Sequence, residues 1–145
     1  RRAASDVYKR QGSSIGPFAR LRNNVNVGKD TKIGNFVELK NSSLENDVKI
    51  SHLSYIGDAE IQDSANIGAG TITCNYDGVN KHKTTIGKRS FIGSNTSLIA
   101  PINIGNDASI AAGSSISKDV DSNSLAITRA PIRFITNWSK KFKKR

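Results

Sequence analysis

Aliphatic residues recur at every sixth position along most of the chain, and this period constrains the fold more than any other feature of the sequence. The spacing between neighbours is five instead of six at two points, and one longer interruption separates Ile67 from Ile86. The sixteen positions are Ile15, Leu21, Val27, Ile33, Leu39, Leu44, Ile50, Ile56, Ile61, Ile67, Ile86, Ile92, Leu98, Ile104, Ile110 and Ile116. An amphipathic helix would need apolar residues at spacings of three and four, and an amphipathic strand would alternate by two. A period of six fits neither of them.

A parallel β-helix explains the period, because a short strand and a turn form one side of a prism and three such sides form one coil. The aliphatic residue of each side would point inward, and a small or β-branched residue four positions later would fill the corner. The glycine that often follows the aliphatic would ease the bend. The sequence therefore predicts an all-β domain over residues 12–121, with about six coils of about eighteen residues stacked about 4.8 Å apart.

The two ends of the chain differ from the repeat in pattern and in charge. The net charge is +10, yet residues 12–128 hold eleven basic and eleven acidic side chains and are neutral. Residues 1–11 carry a charge of +3 and show no period, so we expect them to be a leader outside the fold. Residues 122–145 should form an extended exit and a basic tail, since 129–145 carry +7. With the charge in the tails, we expect neither a nucleic-acid nor a membrane partner.

The stacking of coils also predicts an outward-facing column of residues. Two spacings of five residues and one seven-residue insertion interrupt the period. With these allowed for, five isoleucines occupy one side of successive coils: Ile33, Ile50, Ile67, Ile92 and Ile110. Two positions after them lie Asn35, His52, Ala69, Ser94 and Ala112. The small residues should form a groove roughly 14 Å long above His52, with the inserted residues as a loop beside it. A histidine can accept a proton near neutral pH, so the groove suits a long, thin ligand whose reactive end lies at His52.

Six segments closely resemble one bacterial family. They are GPFARLR (16–22), IGNFVELK (33–40), SHLSYIGDAEI (51–61), NIGAGTITCNYDG (66–78), IGSNTSLIAP (92–101) and SLAITRAP (124–131). The family is the bifunctional N-acetylglucosamine-1-phosphate uridyltransferase/glucosamine-1-phosphate acetyltransferase, and the resemblance covers only its carboxy-terminal acetyltransferase half. It implies a left-handed β-helix with one extruded loop, assembled as a homotrimer with active sites between subunits. The implied reaction is acetyl transfer from acetyl-CoA to glucosamine 1-phosphate, in UDP-N-acetylglucosamine biosynthesis for cell-wall biogenesis.

The resemblance also implies roles for individual residues. It makes His52 the general base. The implied sugar-phosphate ligands are Arg22, Lys40, Tyr55 and Asn66, with Lys81 of the loop as a further candidate. The implied acetyl-CoA contacts are Ala69, Asn75, Tyr76, Ser94, Ala112 and Arg129. Glu38 is a candidate for orienting His52. Acetyl-CoA is the co-substrate and no metal is expected here, since magnesium belongs to the uridyltransferase half that this chain does not match.

Three other functions are alternatives to this one. A hexapeptide-repeat carbonic anhydrase needs three histidines for zinc, and this chain has two, His52 and His82. A non-enzymatic scaffold would show flat faces without a loop or a histidine column. Another sugar or amino-acid acetyltransferase built on the same repeat is the main alternative. The single cysteine, Cys74, and the lack of a long apolar run suggest a cytoplasmic protein.

Overall fold

The structure, a computed structural model, describes residues 7–142. Residues 7–126 form a three-sided parallel β-solenoid. Each side is a parallel sheet, numbered here by its first strand. Face 1 contains β1 (Val7–Lys9), β4 (Val25–Val27), β7 (Ser42–Leu44), β10 (Ala59–Ile61), β13 (Thr84–Ile86) and β16 (Ile102–Ile104). Face 2 contains β2 (Ser14–Ile15), β5 (Lys32–Asn35), β8 (Lys49–His52), β11 (Asn66–Ile67), β14 (Phe91–Ile92), β17 (Ser109–Ile110) and β19 (Leu125–Ala126). Face 3 contains β3 (Arg20–Leu21), β6 (Glu38–Lys40), β9 (Tyr55–Gly57), β12 (Ile72–Cys74), β15 (Ser97–Ile99) and β18 (Ser115–Ile116).

The aliphatic period forms the core, as the sequence predicts. Ile33 pairs with Ile50, Ile50 with Ile67, and the same column continues through Ile92 and Ile110. All members of the series from Val27 onward are buried, whereas Ile15 and Leu21 in the first coil are only partly covered. The corner residues are buried too, and their hydroxyls bond to neighbouring backbone: Thr31 Oγ1 donates to the Glu45 carbonyl at 3.0 Å and Ser42 Oγ to the Lys40 carbonyl at 2.9 Å. The left-handed sense of the coil remains a prediction that rests on the family resemblance.

Residues 7–11 belong to the solenoid, so their exclusion from the fold is wrong. Strand β1 pairs with β4 in register, Val7 opposite Val25 and Lys9 opposite Val27. Lys9 occupies the position at which the period would require an aliphatic residue, and this is why the repeat could not be recognised there. Its ammonium group donates to the Ser13 carbonyl at 2.8 Å instead of entering the core. Residues 1–6 of the expected leader lie outside the described residues.

The chain leaves the solenoid after β19. The exit residues are exposed, and a short 3-10 helix, Trp138–Phe142, follows. Residues 143–145 of the predicted basic tail lie outside the described residues. Between residues 7 and 142, no helix combines the length and apolarity needed to cross a bilayer.

The corner between faces 2 and 3 carries a ridge of bulky apolar side chains. Phe18, Phe36 and Leu53 occupy successive corners in the left-handed region, with φ values of 59°, 57° and 50°. Most other such corners are held by Asn or Asp, which tolerate this conformation better than bulky residues do. The rings of Phe18 and Phe36 stack with centroids 5.6 Å apart, and all three side chains are exposed. The ridge ends at Leu53, because Gly70 takes the corner of the next coil.

Candidate active site

The predicted outward column is present on face 2. Asn35 pairs with His52, and the next coils follow through backbone hydrogen bonds from Gly70 to Leu53, from Asn95 to Ala69 and from Gly113 to Ser94. His52, the last residue of β8, is exposed at the upper end of the apolar ridge. The small residues Ala69, Ser94 and Ala112 stand above it. The structure therefore confirms the predicted column, which we call the groove.

Two glycines beside the groove allow successive coils to approach each other closely. A Cβ atom at Gly68 would lie 2.6 Å from the Ile92 carbonyl oxygen, and one at Gly93 would lie 2.4 Å from the Ala112 amide nitrogen. Both contacts are with backbone of the next coil, which cannot move aside cheaply. Face 2 thus admits no side chain at these two positions.

Arg129 closes the upper end of the groove. Strand β19 pairs with β17, and Thr128 bonds to Ser115, so the exiting chain crosses the last coil. The Arg129 guanidinium then donates to the Ala112 carbonyl at 3.3 Å. This is where the sequence argument places it, beyond the last small residue of the groove. A single carbonyl leaves most of the five guanidinium donors available.

A second cluster of predicted site residues lies on face 3. Arg22 and Lys40 are neighbours in one column, since Arg22 follows β3 and bonds to the Leu39 carbonyl. Gly57 stands above Lys40 in the same column. A Cβ atom at Gly57 would lie 2.3 Å from Tyr55 Oη and 2.7 Å from Asn75 Nδ2. The absence of a side chain at Gly57 therefore allows the Tyr55 phenol and the Asn75 amide to meet beside Lys40.

Asp58 is the polar centre of this cluster, and sequence reasoning did not identify it. Its carboxylate accepts hydrogen bonds from Lys40 Nζ at 3.1 Å, Asn41 Nδ2 at 2.8 Å and Asn75 Nδ2 at 2.7 Å. Burial alone would raise the pKa of Asp58, but the bonds from Asn41, Asn75 and Lys40 outweigh it and lower the pKa below its ordinary value. No signal in the sequence marks Asp58, because Asp is also a common corner residue of this solenoid.

The three cations near Asp58 differ in their environment. Burial lowers the pKa of Lys40, yet the hydrogen bond with Asp58 outweighs this and the pKa is raised above the ordinary lysine value. The pKa of Lys81 is lowered, chiefly because the Lys40 ammonium lies beside it. Arg22 pairs with Glu38 at 3.6 Å. Glu38 therefore contacts Arg22 and not His52, so its predicted orienting role finds no support in a single chain.

The inserted residues form a loop on the far side of face 3. It leaves β12 after Cys74 and enters β13 at Thr84, at the corner between faces 3 and 1. The prediction that it stands beside the groove is thus wrong within one chain. Tyr76 pairs with Lys81 across the loop, while Asp77 Oδ1 accepts from the Val79 and Asn80 amides.

His82 stabilises this loop and is half-buried rather than solvated. Its Nε2 lies 2.7 Å from Asp77 Oδ2. This contact is the main reason why the pKa of Asp77 is lowered to about 2. At the base of the loop the His82 amide donates to the Asn75 carbonyl at 2.7 Å. The loop is therefore a closed hairpin with a defined position on face 3.

The structure thus divides the predicted site residues between two faces of one prism. Ala69, Ser94, Ala112 and Arg129 line the groove on face 2. Asn66 is also on face 2, between Lys49 and Phe91, and so does not meet the other predicted sugar-phosphate ligands. Arg22, Lys40, Tyr55, Asn75, Tyr76 and Lys81 belong to face 3 or its loop. Asn75 and Tyr76, predicted as acetyl-CoA contacts, are hence separated from the groove within one chain.

The repeat and the groove define a class of protein. Residues 83–118 match the family described as the hexapeptide repeat of succinyl-transferase. Two solved structures share the fold at 20% identity. PerB from Caulobacter crescentus, in complex with CoA and GDP-perosamine, aligns with a TM-score of 0.73 over 80% of this chain and 54% of that one. A mutant of AntD, an N-acyltransferase from Bacillus cereus, in complex with dTDP-4-amino-4,6-dideoxyglucose and coenzyme A, aligns with a TM-score of 0.75 over 90% of this chain and 81% of that one. The chain is a hexapeptide-repeat solenoid.

Two sequence relatives are more than half identical to the chain. The chain is 56% identical over 135 residues to the bifunctional protein GlmU of Francisella philomiragia, covering 93% of the chain and 30% of that protein. It is 53% identical over 136 residues to the bifunctional protein GlmU of Zymomonas mobilis, again over 30% of that protein. This similarity extends over almost the whole chain and agrees with the resemblance that its motifs carry. It spans about 30% of the length of the curated relatives it matches.

Proposed function

We propose that this chain transfers the acetyl group of acetyl-CoA to the amino group of glucosamine 1-phosphate, as the family resemblance implies. The observation that carries the proposal is the groove on face 2. It runs from an exposed histidine, His52, past the small side chains of Ala69, Ser94 and Ala112 to a guanidinium, Arg129. Acetyl-CoA has this shape and polarity, with a thioester at one end of a thin arm and phosphates at the other.

The proposed chemistry is attack of an amine on a thioester. The neutral amino group attacks the thioester carbonyl carbon with its lone pair, and His52 takes a proton from the nitrogen as the C–N bond forms. As the tetrahedral intermediate collapses, the C–S bond breaks and the sulfur leaves with the electron pair. The histidine proton passes to that sulfur, so CoA leaves as a thiol and His52 is again neutral.

The cluster on face 3 is proposed to bind the sugar phosphate. Arg22, Lys40 and Lys81 supply positive charge, and among residues 7–142 their paired acids are Glu38 and Asp58. A phosphate dianion would relieve the repulsion between Lys40 and Lys81 and gain charge-assisted hydrogen bonds. Tyr55 and the Asn75 amide lie at the same place and can bond to sugar hydroxyls.

The division between faces supports a homotrimer in which face 2 of one subunit is placed against face 3 of the next. Sedimentation or light scattering should then give a mass about three times the 15.7 kDa of one chain. An active monomer would contradict this assembly.

The reaction is tested by the release of CoA thiol with a panel of amino acceptors. Glucosamine 1-phosphate should react with a much higher kcat/KM than glucosamine, a nucleotide-linked amino sugar or free amino acids. Preference for the nucleotide-linked sugar would favour the alternative of another sugar N-acetyltransferase, which PerB and AntD represent at the level of the fold.

A further inference from the structure

Asp58 is built into the face-3 cluster more firmly than a solvent-exposed corner residue would be. It follows β9 directly, in a left-handed corner with φ of 52°. Its side chain is only 12% exposed, as is that of Lys40, with which it pairs. Its three donors come from the two adjacent coils. Lys40 and Asn41 lie in the coil below, and Asn75 lies in the coil above. The carboxylate therefore ties three successive levels of the solenoid together.

The hydrogen bonds also define what Asp58 cannot do. Oδ1 accepts from Lys40 and Asn41, and Oδ2 accepts from Asn75 and, at 3.3 Å, from Lys40. Both oxygens are thus occupied by protein donors. A carboxylate that is saturated in this way has no free lone pair aimed at a substrate proton, so it is poorly suited to act as a base.

The charges around Asp58 show what its removal would do. Lys40 lies beside Lys81, and both ammonium groups repel each other across a site that also contains Arg22. Asp58 is the carboxylate bonded to Lys40 and offsets this repulsion. Its bond to Asn75 reaches the base of the loop, because the Asn75 carbonyl accepts from the His82 amide. One carboxylate hence connects a phosphate-binding lysine with the loop that carries Lys81.

We propose that Asp58 is a positioning residue: it holds the Lys40 ammonium in the geometry that receives the phosphate of the amino-sugar substrate. The proposal rests on the function proposed above. It assigns to Asp58 a role in selecting phosphorylated over unphosphorylated acceptors, through Lys40 and without contact with the reacting atoms.

The first test compares Asp58→Asn with Asp107→Asn. Asp107 is a matched control, since it also occupies a left-handed corner, with φ of 57°, and pairs with a cation, Arg89, at 2.8 Å. For Asp58→Asn, kcat/KM for glucosamine 1-phosphate should fall roughly 10- to 100-fold, the range expected when a charged hydrogen bond is lost. The KM for acetyl-CoA should not change, and the slow acetylation of unphosphorylated glucosamine should fall much less than the reaction of the phosphorylated acceptor. Equal losses for both acceptors, or an equal loss in the control, would overturn the proposal.

A double-mutant cycle separates positioning from a general loss of stability. In the Lys40→Gln background, Asp58→Asn should cause little further loss with glucosamine 1-phosphate, because the residue through which it acts is already absent. Additive losses would contradict an action through Lys40.

A readout without turnover keeps this test independent of the proposed reaction. Reductive methylation of the lysines, followed by mass spectrometry, reports the fraction of each amine that is neutral. Lys40 should be labelled faster in Asp58→Asn than in the parent protein, because burial then lowers its pKa without an opposing carboxylate. If glucosamine 1-phosphate is not a substrate at all while Lys40 labelling still increases, the proposed reaction fails and the positioning of Lys40 stands. Unchanged labelling overturns the positioning role.

Discussion

At the scale of single residues, this site depends on side chains that are missing as well as on those that are present. Gly68 and Gly93 let the next coil of face 2 approach closely, and Gly57 makes room for the Tyr55 phenol and the Asn75 amide. None of these three glycines has a positive φ, so each is required by close approach of its neighbours and not by its backbone conformation. Substitution by alanine should hence act on contacts rather than on the turn.

Gly57→Ala should impair sugar-phosphate binding while leaving the fold intact. The new Cβ would lie 2.3 Å from Tyr55 Oη, which is the end of a side chain and can shift. Because the backbone is compatible with alanine, the free energy of unfolding should change by no more than about 1 kcal/mol. The KM for glucosamine 1-phosphate should rise roughly tenfold through the displaced phenol and amide. Steady-state kinetics with both substrates checks this, and a rise confined to acetyl-CoA would contradict the assignment of face 3.

His52→Ala should abolish most of the acetyl transfer without unfolding the solenoid. The side chain is exposed at the end of β8, so its removal creates no cavity. The rate should fall by about two to four orders of magnitude, as expected for a lost general base. Asn35→Ala, at the same outward position one coil below, is the matched control and should lose far less. A folded His52→Ala protein with near-normal turnover would refute the assignment.

At the scale of elements, the period predicts register with accuracy but cannot identify the cluster around Asp58. The spacing from Ile33 to Ile110 sufficed to place Ala69, Ser94 and Ala112 above His52. The same counting failed at β1, where Lys9 replaces the aliphatic residue. The spacing also misplaced the loop. The 25 residues from Ile67 to Ile92 cover one whole coil plus the insertion, so the spacing does not show at which corner the inserted residues leave the solenoid. Asp58 and Gly57 act through neighbours in adjacent coils, which a linear pattern does not reveal.

The loop should respond to acid through Asp77. The pKa of Asp77 is lowered to about 2, mainly by the contact with His82 and further by the Val79 and Asn80 amides. A depressed pKa stabilises the loop above the ordinary carboxyl value of about 4, and this contribution is lost as the pH falls towards 2. In an NMR titration the Val79 and Asn80 amide shifts should report a midpoint near the lower value. In His82→Gln the midpoint should move up, and an unchanged midpoint would contradict the role of His82.

The chain exit should govern acetyl-CoA rather than sugar binding. Strand β19 holds Arg129 at the upper end of the groove, opposite to His52. An arginine there can form a fork with the phosphates at the far end of acetyl-CoA. Arg129→Ala should raise the KM for acetyl-CoA with little change in that for glucosamine 1-phosphate. The defect should shrink with 3′-dephospho-acetyl-CoA if the 3′-phosphate is the partner. A selective loss of sugar binding would mean that the ligand lies in the groove in the opposite direction.

At the scale of the whole molecule, the prism separates two sets of residues that the proposed reaction must bring together. The groove is on face 2, whereas Arg22, Lys40, Tyr55 and the loop are on face 3 and its far corner. Neighbouring faces of a convex prism point in different directions, so one chain cannot enclose a ligand between them. A cyclic assembly solves this, because every interface can pair face 2 of one subunit with face 3 of the next.

Mixed trimers test this arrangement directly. Ser94→Trp should fill the groove on face 2, and Arg22→Ala combined with Lys40→Gln should disable face 3; each protein alone should be nearly inactive. Co-expressed with different affinity tags and purified on both, every trimer contains both chains in a ratio of 2:1 or 1:2. In a cyclic trimer either composition has one interface at which an intact groove meets an intact face 3, so activity should recover to about one third of the parent level. Trimers no more active than the single variants would place both half-sites in the same chain and refute the intersubunit site.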